Sequence, residues 1–198
     1  MTDPNTIMRL FERTGAYLRG HFRLTSGMHS PEYLQCAKVL AYPEYAEELG
    51  SGLAEAVRPL CAGRTPKLVV SPALGGVIIG HEVARALGAR FLFTEREAGG
   101  QMTLRRGFVI EPGETAVMIE DVVTTGGSSM EVIKILRQSG AEVLAAGSII
   151  DRSGGAVDLS VPRAALAVLK VVAYQPDQCP LCQQGIPVVK PGSRPTAA

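Results

Sequence analysis

The chain has 198 residues, of which 46% are hydrophobic and 20% are charged, and its formal net charge is +1. This suits one domain with a substantial core and a modest appendage, while the near-zero charge and 5% aromatic content argue against a surface built for nucleic acid. Residues 1–13 lack a signal-peptide pattern, and no apolar run approaches the ~20 residues of a spanning helix. The four cysteines are too irregularly spaced for a disulfide framework. We therefore predict a cytoplasmic protein.

Hydrophobic patterns predict helices and strands that alternate along the chain. A short helix over 6–14 precedes a hairpin or hood over 20–36, where alternating residues flank Ser-Gly and Ser-Pro turn signals. The following elements are a helix over 42–58, a buried strand over 67–70, a helix over 77–87, and strands over 90–94, 116–119, 142–150 and 164–172. Strands that alternate with helices predict an α/β fold with a mainly parallel sheet.

The most informative segment is 117–129, where an apolar run stops at Glu120 and Asp121 and is followed by Val-Val-Thr-Thr-Gly-Gly-Ser-Ser and a helical pattern. A strand–loop–helix junction of this kind offers free backbone N–H groups and a helix dipole to an anion, and glycine lets the backbone approach a phosphate. Two carboxylates would repel a phosphate alone, but they suit a ligand that also carries hydroxyls, such as a ribose 5-phosphate. An ordinary capped turn is the alternative, although capping does not explain two acids at a strand end.

This order of residues resembles the phosphoribosyl pyrophosphate (PRPP) motif of the type I phosphoribosyltransferases. The resemblance implies that family's fold, a central mainly parallel sheet flanked by helices with a small N-terminal hood. It divides the chain into a helix and hood over 1–40, a core over 41–175 and a tail over 176–198. It also implies that Glu120 and Asp121 act in catalysis by holding the ribose hydroxyls. The PRPP-binding residues implied in this motif are Glu120, Asp121, Val122, Val123, Thr124, Thr125, Gly126, Gly127 and Ser128.

Two other segments carry the resemblance. The hood over 20–36 is similar to the N-terminal segment of orotate phosphoribosyltransferases, except that Thr25 stands where many members have a lysine, for which Arg23 or His29 would substitute. The loop over 71–76 corresponds to the family's pyrophosphate loop. It lacks the basic residue common in relatives, so Leu74 and Gly75 are expected to bind PRPP only through backbone N–H groups and the helix dipole.

Segment 97–106 resembles the family's mobile catalytic loop, which closes over the active site of a neighbouring subunit, and therefore implies a homodimer. The loop here lacks the family's Lys and His residues. Arg96 is matched to a PRPP-binding lysine, and Arg105 is assigned a catalytic role. Arg105 and Arg106 are both weaker candidates than Arg96, because either could instead lie on a strand over 104–110. Alternatively, Arg96 only forms a surface ion pair with Glu95 or Glu97.

Arg152 follows the strand over 142–150 and precedes two glycines by one residue. At such a strand end a guanidinium can bind a carboxylate through two hydrogen bonds. In the family the matching arginine binds the orotate carboxylate, with Thr124 and Thr25 as further contacts here. A structural Asp151–Arg152 pair is the alternative. The resemblance implies transfer of a phosphoribosyl group from PRPP to orotate, giving orotidine 5′-monophosphate and pyrophosphate in UMP synthesis, with Mg²⁺ as cofactor bound largely through substrate.

Two other functions stay open at this stage: a purine phosphoribosyltransferase, whose base has no carboxylate for Arg152, and a regulator that senses nucleotides without catalysis. The tail carries Cys179-Pro180-Leu181-Cys182, a CxxC that suits half a zinc site, a redox dithiol or an inert pair. A zinc site would need two more thiolates, which Cys36 and Cys61 do not supply at a matching spacing, unless another subunit does. We therefore favour an inert pair and predict no metal ligand in this chain.

Overall fold

A computed structural model describes residues 3–24 and 26–191, so the predicted orotate contact Thr25 lies outside the described residues. The helices are Pro4–Arg13 (α1), Cys36–Val39 (α2), Pro43–Val57 (α3), Gly75–Leu87 (α4), Gly127–Gln138 (α5) and Pro180–Gln183 (α6). The strands are Tyr17–Arg23 (β1), His29–Leu34 (β2), Leu68–Pro72 (β3), Arg90–Arg96 (β4), Met102–Leu104 (β5), Thr115–Val123 (β6), Glu142–Asp151 (β7) and Arg163–Val168 (β8).

Among the described residues the main sheet has six strands in the order β5-β4-β3-β6-β7-β8, of which only β5 runs antiparallel to its neighbour. The chain passes from β3 to β4 on one side, and then crosses to β6 on the other side of β3. The direction of winding therefore reverses between β3 and β6. Ligands of open α/β sheets bind outside the carboxyl ends of the strands at such a reversal, so the topology itself marks one crevice.

Helices cover both faces of the sheet, as the near-continuous apolar burial of β3 and β6 requires. Residues of α1, α3 and α4 form one hydrophobic cluster, whereas α5 packs on the opposite face in a second cluster. Helices α3 and α4 pack closely because Gly50 has no side chain: a Cβ there would lie 2.4 Å from Cβ of Glu82. The predicted fold class is confirmed, whereas the division into three segments stays a prediction.

Several boundaries differ from the predicted ones. Strand β6 continues past its apolar run through both acids to Val123, because its backbone stays paired with β7 from Glu120–Ser148 to Val123–Asp151. The predicted loop over 97–106 is partly wrong, since β5 pairs with β4 and leaves a tight turn closed by the Glu97 N–H bond to Gln101 O at 2.9 Å. The last strand of the sheet is also shorter than predicted, because β8 ends at Val168.

The predicted hairpin is present as β1 and β2, which pair antiparallel outside the main sheet. The tail after β8 returns alongside this hairpin. Tyr174 pairs with His29, and Val189 pairs with Phe22, through backbone hydrogen bonds of 2.8–2.9 Å. Across the part of the chain that the structure describes, no helix is both long and apolar enough to cross a bilayer.

Candidate active site

The crevice between β3 and β6 brings together the two loops that the sequence analysis assigned to PRPP. Helix α4 begins at Gly75, after a short loop that follows β3, and α5 begins at Gly127, after a short loop that follows β6. A Cβ on Gly75 would lie 2.5 Å from Oδ2 of Asp121, so only glycine at this position lets the Asp121 carboxylate reach the start of α4. The two helix N-termini and the acid pair therefore share one site.

Asp121 lies at the centre of this site and is only partly exposed. Desolvation by the surrounding protein raises the pKa of its carboxyl, while backbone N–H groups, including that of Val122 at 2.9 Å from Oδ1, act in the opposite direction. A carboxylate that is poorly hydrated and close to an anion cradle gains stability from hydroxyl donors or from developing positive charge on a ligand.

Glu120 accepts a hydrogen bond from Ser129, a residue to which the motif assigned no role. The buried hydroxyl of Ser129, in the first turn of α5, donates a hydrogen bond to Oε2 of Glu120. This bond fixes one carboxylate oxygen of Glu120 relative to the helix. Ser129 belongs to the motif over 117–129, but only the helix start at Gly127 places it on the side of the helix that faces β6.

The segment between the two acids and α5 has the features of an anion cradle. Thr124, Thr125 and Gly127 are exposed, and Ser128 is half-buried. Gly126 adopts a left-handed conformation with φ of 76°, and a Cβ there would lie 2.5 Å from Cγ1 of Val157, so glycine is required. The first bond across this turn is from Met130 N–H to Gly126 O at 2.8 Å, so the earlier N–H groups of the helix remain without intrahelical partners.

Arg152 lies at the end of β7, where its backbone N–H donates to Val123 O at 2.8 Å and ties it to β6. Its buried Nε has no hydrogen-bond partner among the described residues. Desolvation lowers the pKa of its guanidinium, and the negative charges of Tyr33, Glu32 and Cys36, when ionised, act against that shift. An arginine held in a cleft with an unused donor is equipped to bind an anionic group of a ligand.

The alternative Asp151–Arg152 pair is not formed. The buried carboxylate of Asp151 instead accepts a hydrogen bond from Nη1 of Arg163 at 2.6 Å, and others from the N–H and Oγ of Ser153 at 2.7 and 2.6 Å. Arg152 is therefore not held by the acid that precedes it.

The arginines of segment 96–106 lie on the hairpin formed by β4 and β5, at the sheet edge. Arg96 pairs with Glu131 of α5, with 2.8 Å between Nη1 and Oε2, rather than with Glu95 or Glu97 as the alternative supposed. Arg106 binds Glu95 through two bonds of 2.7 Å. Arg105 is exposed after β5, and β4 separates β5 from β3, so the topology does not place Arg105 beside Asp121 of the same chain.

Two residues of the hood also lie near the site, and no sequence motif predicted this position. Tyr33 and Cys36 both have raised pKa values, chiefly because of burial; in both, the charge of Asp121 adds to the upward shift and the charge of Arg152 opposes it. The end of β2 and the start of α2 therefore lie close to both the predicted acid and the predicted arginine. Only the tertiary structure brings them there, because more than eighty residues separate Cys36 from Asp121 in the chain.

Comparison with known proteins agrees with this geometry. Residues 38–164 match the family described as "Phosphoribosyl transferase domain". The orotate phosphoribosyltransferase of Pelotomaculum thermopropionicum is 56% identical over 188 residues, which cover 95% of this chain and 96% of that protein. The chain belongs to the orotate phosphoribosyltransferase family. A second family member, from Thermotoga petrophila, is 53% identical over 95% of this chain and 98% of its own length.

The fold of this orotate phosphoribosyltransferase family member is also found in a solved structure. The crystal structure of orotate phosphoribosyltransferase from Aeropyrum pernix matches with a TM-score of 0.70 and 26% identity, and the match covers 83% of this chain and 94% of that one. The resemblance stated from the motif over 117–129 is therefore confirmed at the level of family and fold.

Proposed function

We propose that this protein is an orotate phosphoribosyltransferase, which transfers the 5-phosphoribosyl group of PRPP to orotate and releases pyrophosphate, in UMP synthesis. The match to proteins of that name over nearly the whole chain supports the reaction. The observation that carries the choice of substrate is the buried, unpartnered Nε of Arg152, in a cleft that Tyr33 also lines. Orotate brings a carboxylate for this donor, and neutral purines have none.

In this proposal the protein aligns two substrates and stabilises charge, without a protein nucleophile. The phosphate of PRPP lies in the cradle over 124–128, and the ribose hydroxyls bind Glu120 and Asp121. Both carboxylates then face the sugar as positive charge develops on its C1 and the bond to pyrophosphate breaks. Arg152 takes the orotate carboxylate, with Thr124 and Thr25 as further contacts.

The pyrophosphate end of PRPP lies against the start of α4, where the N–H groups near Leu74 and Gly75 face the crevice. Arg96 is the proposed cation for this group. In the structure Arg96 already pairs with Glu131, so substrate binding has to exchange one anionic partner for another.

Mg²⁺ suits the donor set of this crevice, because Glu120 and Asp121 provide hard carboxylate oxygens next to two helix N-termini. We propose that PRPP oxygens would supply most of the ion's ligands beside these carboxylates, and that the ion would neutralise charge on the departing pyrophosphate.

We further propose a cytoplasmic homodimer. All four cysteines are free thiols in the structure, as a reducing compartment would keep them. The exposed position of Arg105 at the sheet edge suits a role in the neighbouring subunit, with segment 97–106 completing that site and excluding water.

A substrate comparison with the purified full chain tests the function. Pyrophosphate release is measured with PRPP and Mg²⁺ in the presence of orotate, adenine, hypoxanthine or xanthine, and again without added metal. The proposal predicts release with orotate that requires Mg²⁺. Release with a purine but not with orotate would establish a purine enzyme, and no release with any base would support a regulator.

A further inference from the structure

A second cluster of reactive side chains lies away from the crevice, where the tail meets the hood hairpin. It consists of His21 of β1, His29 of β2, Cys179 and Cys182, and one ligand atom from each side chain lies within 4.8 Å of all the others. The first three are buried, and Cys182 is at the surface. Cys36 and Cys61 do not complete the CxxC as further thiolates, but the fold places two imidazoles beside it.

The distances within this cluster resemble those of a tetrahedral metal site. Nε2 of His21 lies 2.8 Å from Nδ1 of His29, 3.5 Å from Sγ of Cys179 and 3.7 Å from Sγ of Cys182, and Cys182 Sγ lies 3.3 Å from His29 Nδ1. Bond lengths of about 2.0–2.1 Å to nitrogen and 2.3 Å to sulfur give tetrahedral edges of about 3.3 Å for N–N, 3.6 Å for N–S and 3.8 Å for S–S. Among these four distances the imidazole pair departs most from the tetrahedral value and would have to separate by about 0.5 Å. The other two ligand pairs, Cys179 with Cys182 and Cys179 with His29, lie within 4.8 Å.

One imidazole is already oriented for metal binding. The carbonyl oxygen of Ile186 lies 2.7 Å from Nδ1 of His21, and because a carbonyl only accepts hydrogen bonds, this nitrogen carries the proton. In the neutral ring the lone pair is then on Nε2, which faces the sulfur atoms. Histidines that bind metals commonly donate their other N–H to a carbonyl in this way.

We propose that His21, His29, Cys179 and Cys182 bind one structural Zn²⁺ ion that fastens the tail to the hood. Two thiolates and two neutral imidazoles are a closed set for zinc, and two thiolate charges balance the charge of the ion. The two cysteines are spaced as C-x₂-C at the start of α6, a common spacing of zinc ligands. A redox dithiol would need neither imidazole, whereas a zinc site accounts for all four side chains.

The location indicates what the ion does. The ligands on β1 and β2 adjoin the backbone bridges from Phe22 to Val189 and from His29 to Tyr174. Helix α6 has only four residues and contributes no buried apolar side chain, so packing alone holds the tail weakly. A bound ion would stabilise this junction, and the hood strand β2 leads directly to Tyr33 and Cys36 near the active site. This proposal does not depend on the orotate activity.

Metal analysis of the full chain tests the proposal. The protein is purified under reducing conditions without a metal-affinity column, and its zinc content is compared with that of Cys182→Ser, whose exposed position makes misfolding a small risk, and of Cys61→Ala, a cysteine outside the cluster. We expect about one zinc per chain in the wild type and in Cys61→Ala, and at least about a tenfold lower content in Cys182→Ser. Equal zinc content in all three proteins, or none in any after reconstitution with Zn²⁺, overturns the proposal.

Cobalt substitution provides a second measurement that does not depend on purification history. Apo protein titrated with Co²⁺ should show the visible bands of tetrahedral cobalt and a thiolate charge-transfer band, and Cys182→Ser should lose the tetrahedral bands while Cys61→Ala keeps them. A six-coordinate cobalt spectrum in the wild type contradicts the site. A wild-type protein that holds a Cys179–Cys182 disulfide and does not bind Co²⁺ after reduction identifies a redox pair instead.

Discussion

At the scale of residues, Asp121 is the side chain on which the crevice depends most. Its Oδ2 occupies the space that a Cβ on Gly75 would fill, and its Oδ1 accepts the N–H of Val122. These contacts hold the carboxylate against the start of α4 although desolvation opposes its charge. A carboxyl whose pKa is raised by desolvation in a crevice is typical of a functional site rather than of a stabilising one.

Replacement of Asp121 with Asn should lower kcat by about 100-fold or more, because a charge that stabilises the transition state is lost. The substitution should not destabilise the fold. Folding raises the pKa of the Asp121 carboxyl, so the protonated carboxyl favours the folded state. This stabilisation is present below the unfolded pKa of about 3.9 and is lost as pH rises through the folded pKa. Urea unfolding at pH 8 should therefore show Asp121→Asn to be at least as stable as the wild type.

A double-mutant cycle with Gly75→Ala controls this prediction. If the added Cβ acts by displacing the Asp121 carboxylate, Gly75→Ala should reduce kcat in the wild type but have little further effect in Asp121→Asn. Unchanged turnover in Asp121→Asn, or fully additive effects of the two substitutions, would contradict the role given to this carboxylate.

Arg152 allows a prediction about substrate. Arg152→Ala should raise the KM for orotate by about tenfold or more, since hydrogen bonds to charged groups contribute about 1.5–3 kcal/mol, and should change the KM for PRPP much less. Steady-state kinetics with each substrate varied in turn measures both values. Arg64→Ala, which removes an exposed arginine paired with Glu142, is the control and should change neither. Equal increases in both KM values would count against the carboxylate contact.

At the scale of elements, the pairing of β7 with β8 depends on a buried ion pair. Asp151 is 1% exposed and Arg163 is its charged partner. Burial alone would raise the pKa of Asp151, but hydrogen bonds from Ser153 and Arg163 outweigh burial and hold the pKa below its usual value. The carboxylate therefore stabilises the fold at neutral pH. Since the backbone of Asp151 also accepts Leu169 N–H at 2.7 Å, the pair positions the strand end that carries Arg152.

Arg163→Ala should lower the free energy of unfolding at pH 7 by about 3–5 kcal/mol, because it leaves a buried carboxylate without its cation. The wild-type pair stabilises above the unfolded pKa of about 3.9, and this stabilisation is lost as pH falls through the folded pKa of Asp151. Urea unfolding at pH 7 and at pH 3 should thus show the difference between the proteins shrinking in acid. Arg64→Ala, which breaks an exposed pair, should cost only about 0–1 kcal/mol; similar losses in both variants would contradict the account.

At the scale of the whole molecule, sequence reasoning succeeded where the signal was local. The motif over 117–129 predicted a strand, an anion cradle and a helix from adjacent residues, and the family follows from it. Prediction from sequence failed for contacts between side chains that are distant in the chain. The imidazole of His21 meets Cys179 across 158 positions, and Arg96 meets Glu131 of α5 rather than its acidic neighbours. Periodicity also could not show that β6 continues past its apolar run, because pairing with β7, rather than hydrophobicity, maintains the strand.

The proposed dimer leads to a prediction about mixed subunits. If Arg105 acts in the neighbouring subunit while Asp121 acts in its own, a hybrid of Arg105→Ala and Asp121→Asn subunits contains one intact site. Mixing the two inactive variants under conditions of subunit exchange should recover about a quarter of wild-type activity, because half of the dimers are hybrids with one working site each. Activity that stays at the level of the separate variants would contradict a contribution in trans, and size-exclusion chromatography verifies that dimers are present.

The most direct test of the central claim is hydrogen exchange of the purified protein with and without PRPP and Mg²⁺. If a sugar phosphate lies between the two helix N-termini, exchange should slow at the amides over 124–128 and over 74–76, while amides of the exposed 3₁₀ turn Pro176–Gln178 should exchange at the same rate in both samples. Unchanged exchange over 124–128 at a PRPP concentration that supports turnover would contradict the account.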